Sequence, residues 1–337
     1  MIQNNFFLML LKVFFFSLIL VATSAVRAEL KVVTTIKPLH SLIANVMDGV
    51  GEPALLIEGS TSPHSFTLKP SHAKLLEEAD IIFWVGESIE TFMERPLESI
   101  VKNAEVVEFM EVESINKLKF REESIFDDHD DHDDHDDHDD HDDHDKHDDH
   151  DNHDDHAGHD HGAFDPHAWH SLENAVIYAN NIAAGLAQAD PENAGDYYAN
   201  RATFISEIET LSADIEAMMK RLPADKRTVV TAHDAFGYFG ATYDLTFVAP
   251  QGIGTDSEVS AGDLAALITQ IREESISAVF IESLTDNRMI EQIANETGAT
   301  IGGMLYAGAL SAQSGPASNY LDMMRHNATT LFEALGN

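Results

Sequence analysis

Cysteine is absent from all 337 residues. Its absence excludes disulfides, thiolate metal sites and cysteine nucleophiles together. It also excludes the lipid-bearing cysteine that would tether an exported bacterial protein. Basic residues are scarce, 20 Lys and Arg against 59 Asp and Glu, and the formal net charge is −39. That balance argues against nucleic acid or anionic lipid as a partner and favours a cation. Beyond residue 21 no segment approaches the roughly 20 apolar residues that cross a bilayer. No G-x-S-x-G, H-E-x-x-H or P-loop pattern occurs, and the glycine-containing stretch GIGTDSEVSAG (252–262) lacks a phosphate-loop lysine.

What is present begins with an apolar run over 6–21 whose single charge is Lys12, followed by TSAVRA over 23–28. Val26 and Ala28 occupy the small-residue positions that a signal peptidase reads. The expectation is a leader over 1–28, cleaved after Ala28, and an exported, soluble mature chain. In a bacterium with two membranes it would be free in the periplasm.

The second conspicuous feature is an aspartate–histidine run. From Asp127 to Asp160 there are 19 aspartates and one lysine, contributing −18 and leaving −21 for the rest. Twelve of the 19 histidines lie within 127–162: His129, His132, His135, His138, His141, His144, His147, His150, His153, His156, His159 and His161. With nothing apolar to bury and strong like charge, 127–162 is expected to be disordered without a ligand. Imidazole is mostly neutral at pH 7 and available to a borderline metal. Histidine at every third position offers many ligand sets, each weakened by the entropy of ordering the chain. The run is thus expected to be an accessory metal collector or a sensor of excess metal. The competing reading is a dispensable acidic spacer.

Some 300 mature residues exceed what one core usually holds, so two lobes are expected. Strands are predicted over 30–36, 53–57 and 80–85, with helices over 38–47, 71–78 and 88–94, the last closing on Pro96. This alternation indicates a parallel sheet covered by helices. Residues 163–190 would complete that N-terminal α/β lobe, begun at 29–126. A linking helix is expected over 191–222, from Pro191 to just before Pro223. The C-terminal α/β lobe, 223–337, repeats the pattern. Its strands are predicted over 228–231, 246–249, 276–282 and 300–306, and its helices over 234–240, 260–274, 287–297 and 318–335. Ser260 with Asp263 opens one helix as a capping box, and Gly298 stops the next.

Seven histidines lie outside the run. His64 (SPHSF), His167 (DPHAWH) and His233 (TAHDAF) each sit in a loop past a strand or just before a helix. Ligands bind beyond the carboxyl ends of strands in open α/β sheets. Each alone reads best as a structural histidine, but three in equivalent places point to a shared metal site. Three neutral imidazoles suit Zn²⁺ better than Mn²⁺ or Mg²⁺. Asp165 and Asp234 are candidates to hold ring N–H groups, or simply to cap helices. His40 is a possible neighbour of the site; His72, His170 and His326 are expected at the surface. A three-histidine zinc with an open fourth position is also the arrangement of hydrolytic zinc enzymes.

The segments TTIKPLHSLIANVMDGVG, SPHSFTLKPS, ADIIFWVG, DPHAWHSLENA, TAHDAFGYF, VFIESLTDNRMIEQIANETGA and GPASNYLDMMRHN together resemble the zinc-binding periplasmic component of high-affinity zinc ABC transporters. The resemblance spans essentially the whole mature chain, and the acidic histidine-rich insertion is itself typical of that group. It implies two α/β lobes joined by one long rigid helix, with a metal in the interlobe cleft. It places the three histidine ligands on His64, His167 and His233. The implied function is capture of Zn²⁺ and delivery to a membrane permease driven by a cytoplasmic ATPase, by a monomer without catalysis. The alternatives are a periplasmic zinc buffer or chaperone without a transporter, and a three-histidine zinc hydrolase. The chain departs from the resemblance at the fourth ligand. Relatives carry aspartate where this chain has Gly308, or glutamate where it has Pro63. That leaves water, Glu282 or a histidine of the run for the fourth position.

Overall fold

A run of β-branched residues without polar alternation makes a strand buried on both faces, and Val32–Thr34 (β1) is such a strand. It lies between β2 (Ala54–Leu55) and β3 (Ile81–Trp84), with β4 (Glu105–Glu108) beyond β3, all parallel. The computed structural model describes residues 29–59, 61–119, 164–252 and 259–336. The expected leader and the aspartate–histidine run therefore lie outside the described residues. Lys31–Asn337 forms one compact unit, and Met1–Leu30 is counted separately from it. No helix among the described residues is long and apolar enough to cross a membrane.

Parallel strands need crossover connections, and helices supply them. The first lobe carries α1 (Lys37–Val46), α2 (Pro70–Glu78) and α3 (Glu94–Ser99), and α4 (Leu172–Ala189) packs on β3 and β4. Then follows α5 (Ala194–Met219), which is 26 residues long and by its rise spans about 39 Å. It buries Tyr197, Phe204, Ile208, Leu211, Ile215 and Met219, a stripe at helical spacing. That stripe packs against α4 and α1 on one side and the closing helix α9 (Tyr320–Leu335) on the other, so α5 joins the lobes.

The second lobe is built from β5 (Thr228–Val230), α6 (Gly237–Tyr243), β6 (Thr246–Val248), α7 (Ala261–Glu273), β7 (Ala278–Glu282), α8 (Arg288–Thr297), β8 (Thr300–Leu305) and α9. Its core includes Val230, Val248, Leu267, Ile271, Val279, Ile290 and Ile293. The strand order β6-β5-β7-β8 repeats the order β2-β1-β3-β4 of the first sheet. In each sheet the order reverses between the first and third strands. At such a switch point the flanking loops diverge and leave a crevice at the carboxyl ends. The fold class matches the expectation of two α/β lobes and one long joining helix.

Several local expectations are corrected. Residues 88–94 are not a helix: a 3₁₀ turn spans Thr91–Met93, and α3 starts at Glu94 and contains Pro96. Proline is tolerated in a first turn, where its missing N–H would lack a partner anyway. Strand β4 was not anticipated because its VV pair is flanked by glutamates and half exposed. Pro191 belongs to the turn before α5, which the Asp190 carboxylate shapes by accepting from Asn193 Nδ2 at 2.7 Å and Tyr197 O–H at 3.2 Å. Helix α6 starts at Gly237 rather than 234, because residues 232–234 are drawn into loop hydrogen bonds and a bridge from His233 to Gln251. Gly298 does stop α8, with φ 79 in the left-handed region.

Just past the carboxyl end of β3, Glu90 is completely buried and accepts N–H bonds from Val85 at 2.7 Å and Gly86 at 3.2 Å. Burial pushes its carboxyl up to about 7. Between its ordinary value and about 7 the native protein keeps a proton that the unfolded chain releases. Stability therefore falls as pH rises through that window, by about 3 kcal/mol for this group. Glu90→Gln keeps an oxygen for both N–H groups, so its denaturation free energy should decline less than wild type between pH 5 and pH 8. Equal declines in the two proteins would refute this.

Candidate metal centre

His64 follows β2 in the sequence SPHS. Pro63 fixes the first position of a 3₁₀ turn (Pro63–Ser65), and the Ser62 hydroxyl accepts the His64 N–H at 3.3 Å. The short capped turn thereby orients the imidazole, which is half-buried.

His167 sits where the chain enters another 3₁₀ turn (Ala168–His170), just ahead of α4. The Asp165 Oδ1 accepts its backbone N–H at 2.9 Å and lies 2.9 Å from its Nδ1. One carboxylate oxygen thus fixes both the backbone and the ring. His233 lies past the end of β5, where Glu282, the last residue of β7, does the equivalent work. Glu282 Oε1 accepts the N–H groups of Ala232 and His233 at 2.8 and 2.9 Å, and its Oε2 lies 2.6 Å from His233 Nδ1. Both histidines are almost fully buried.

With each Nδ1 facing a carboxylate, Nε2 of both rings is left for the third partner. The three rings converge, with centroids separated by 5.6 Å (His64–His167), 6.1 Å (His64–His233) and 5.6 Å (His167–His233). One nitrogen from each lies within 4.8 Å of the other two, and among the described residues this is the one group of three or more potential metal donors so placed. Burial, with the neighbouring His233, holds His167 well below the usual histidine range, so it is a neutral donor. Burial also disfavours charge on His233, but the Glu282 carboxylate, with Asp234 and Asp165, outweighs it and raises that ring above its ordinary value.

The space between the rings is a cavity of about 10 Å³, walled otherwise by Ser62 and by apolar groups including Pro63, Ile89, Trp169, Leu284 and Gly308. That is about the room one water-sized sphere needs. A single ion fits, and an organic solute does not. Trp169 is pinned across the cleft by its Nε1–H, which donates to Ala307 O at 2.9 Å. The Tyr320 hydroxyl donates to Trp169 O at 2.5 Å, and Tyr320 N–H to Ser41 Oγ at 2.9 Å. These buried bonds join the loop after β8 and helix α9 to the first lobe.

The structure therefore brings His64, His167 and His233 together. It does not bring in His40, whose Nε2 contacts Pro53 O at 2.9 Å. Glu282, a candidate fourth ligand in the sequence, instead backs His233, because it ends the strand adjacent to β5 and meets the loop from behind. Asp234 does not take the ring position on His233, which Glu282 occupies. His170 was expected at the surface and is fully buried against Trp169 and Phe236, burial holding it well below the usual range. His72 and His326, expected at the surface, are half-buried; His72 Nδ1 accepts the Lys69 N–H at the start of α2. Gly308 and Pro63, where the resemblance had implied carboxylates, both face the cavity.

A family model described as ZnuA, zinc-uptake complex component A, periplasmic, matches residues 32–334. The chain belongs to this family. The ZnuA high-affinity zinc uptake system protein of Brucella abortus is 35% identical over 308 residues, covering 90% of this chain and 91% of that protein. The protein of the same name from Paracoccus denitrificans is 37% identical over 311 residues, covering 92% and 93%. Among solved structures, the periplasmic zinc-binding protein TroA of Treponema pallidum superposes with a TM-score of 0.76 at 24% identity, covering 91% of this chain and 99% of that one. This last likeness carries the fold. The ZnuA family is one of metal-transport binding components and not a family of enzymes.

Proposed function

We propose that the protein captures Zn²⁺ between its lobes and delivers it to a membrane permease driven by a cytoplasmic ATPase. The observation that carries this reading is the convergence of three imidazole nitrogens within 4.8 Å around an ion-sized cavity. His64, His167 and His233 are the ligands. Imidazole donors without a carboxylate at the ion favour Zn²⁺ over Mn²⁺ or Mg²⁺, which prefer oxygen. Asp165 and Glu282 orient two of the rings from behind and partly balance the ion's charge. Because Glu282 is engaged there and no carboxylate lines the cavity, a water molecule or a histidine of the run completes the tetrahedron.

The names of the relatives, zinc uptake proteins at 35–37% identity, support zinc as the cargo. The protein works in the periplasm after removal of residues 1–28, and the aspartate–histidine run collects zinc near the cleft. Hydrolysis is disfavoured because a cavity of about 10 Å³ has no room for a substrate beside the ion. A zinc buffer without a transporter has the same site, so transport must be measured. Cells lacking this protein should take up radioactive zinc poorly from zinc-scarce medium, and removing the permease as well should cause no further loss. Undiminished uptake in cells lacking the protein would leave it a buffer.

A further inference from the structure

Asp165 fixes His167, but its carboxylate borders a second cavity of about 270 Å³, lined also by Leu118, Gly237 and Gly240. Without a tether it would have room to turn away from the ring. Three contacts fix the backbone that carries it. The buried Tyr238 hydroxyl donates to Asp165 O at 2.8 Å and accepts the Leu118 N–H at 3.1 Å. The Asp165 N–H in turn donates to Leu118 O at 3.0 Å. On the carboxylate side, a Cβ built at Gly237 would stand 2.7 Å from Asp165 Oδ2, so only the bare glycine lets the carboxylate sit where it does.

We propose that Gly237 and Tyr238 are positioning residues of the metal site, which set the His167 ring through Asp165. The inference rests on the reading of the three imidazoles as ligands. Gly237 and Tyr238 open α6, four and five residues after His233. The helix that follows one ligand therefore fixes another ligand from a distant part of the chain. The spacing of His167 and His233 is then built into the apoprotein and does not wait for the metal, and such preorganisation raises affinity by lowering the ordering cost of binding. Burial, with the Asp165 charge nearby, holds the Tyr238 phenol above its ordinary range, so it stays a donor at every working pH.

The test compares wild type, Tyr238→Phe and Gly237→Ala as full-length proteins. Long-range ¹H–¹⁵N spectra of the histidine rings are recorded without metal, and the His167 signals are assigned by their loss in His167→Ala. Zinc affinity is measured by competition with a chelator, and thermal melting is followed alongside. Tyr238→Phe leaves the Asp165 carbonyl and the Leu118 N–H without this partner, so it should lower the melting temperature; it should also shift or broaden the His167 Nδ1–H resonance and bind zinc about tenfold more weakly, in the range for loss of a group that orients a ligand. Gly237→Ala, if folded, should do the same. A lowered melting temperature with unchanged His167 resonances and unchanged affinity would reduce both residues to a structural role and overturn the proposal. If wild type itself failed to bind zinc, the functional reading would fall. The apoprotein resonances would still decide whether this wiring exists.

Discussion

Replacing His167 by alanine is expected to abolish tight zinc binding in a chain from which 127–160 has been removed, while that shortened chain otherwise binds one zinc tightly. Lys119 and Phe164 face each other across an antiparallel bridge, so the chain leaves and re-enters the first lobe at adjacent points. Asn174 clamps the approach, accepting the Asn116 N–H at 3.0 Å and donating to Asn116 O at 3.0 Å. Removing 127–160 leaves both bridge partners and the Asn174 clamp in the chain. At the cleft, loss of one imidazole leaves two. Four-ligand zinc sites provide about 10–16 kcal/mol. An even share is about 3 kcal/mol per ligand, more than a hundredfold in affinity. Calorimetric titration of four proteins, intact and shortened, each with and without the substitution, gives the answer. A tight site that vanished with the run and ignored His167→Ala would move the function out of the cleft and into the run.

Much of this site was legible because its chemistry is local in sequence. SPHS, DPHAWH and TAHDAF each pair a histidine with the proline, serine or aspartate that shapes its turn. An α/β pattern places such loops at the carboxyl ends of strands. Asp165, two residues before His167, was within reach for the same reason. Glu282 could be named only as one of three candidates for the fourth position, because its place behind His233 is set by strand order, not by sequence distance. β7 lies beside β5, so a residue 49 positions beyond His233 ends up behind it. Tyr238 and Gly237 escaped because a phenol in GYF reads as core, and the atoms it serves come from residues 118 and 165. His170 was misplaced because burial of a histidine against Trp169 and Phe236 leaves no periodic trace over so short a turn. Helix ends moved by a few residues wherever side chains such as Asp190 took over the backbone groups that a helix would have used.

The two carboxylates behind the rings solve one problem in the same way. Each uses an oxygen on backbone N–H and sets an oxygen against Nδ1, at 2.9 Å for Asp165 and 2.6 Å for Glu282, so a single residue holds the loop and faces the ring. Asp165 does this from the adjacent turn and Glu282 from the neighbouring strand. The third ring, His64, is held by its capped 3₁₀ turn and is the most exposed of the three. Two buried rings fixed from behind and one half-buried ring suit an ion that arrives at His64 and is completed by His167 and His233.

Glu282 separates stability from binding. Glu282→Ala removes the acceptor for two buried N–H groups, each costing about 1–3 kcal/mol when left unpaired, and leaves a hole where a side chain only 2% exposed had been. A loss of about 3–5 kcal/mol is expected in denaturant unfolding of the metal-free protein, with weak zinc binding following from the loosened loop. Glu282→Gln should behave differently. Its carbonyl oxygen must face the Ala232 and His233 N–H groups, because the reversed amide would set donor against donor at both. The amide NH₂ then points at His233 Nδ1, the ring accepts there, and its proton moves to Nε2, the nitrogen that faces the other two imidazoles. A metal must displace that proton and has lost a compensating charge behind the ring. Stability should stay near wild type while zinc affinity falls about 10–100-fold, the range for loss of a carboxylate partner of a metal-bound histidine. If Glu282→Gln bound zinc like wild type, the carboxylate would not be setting the His233 tautomer. If Glu282→Ala were fully stable, the two N–H bonds would not be holding the loop.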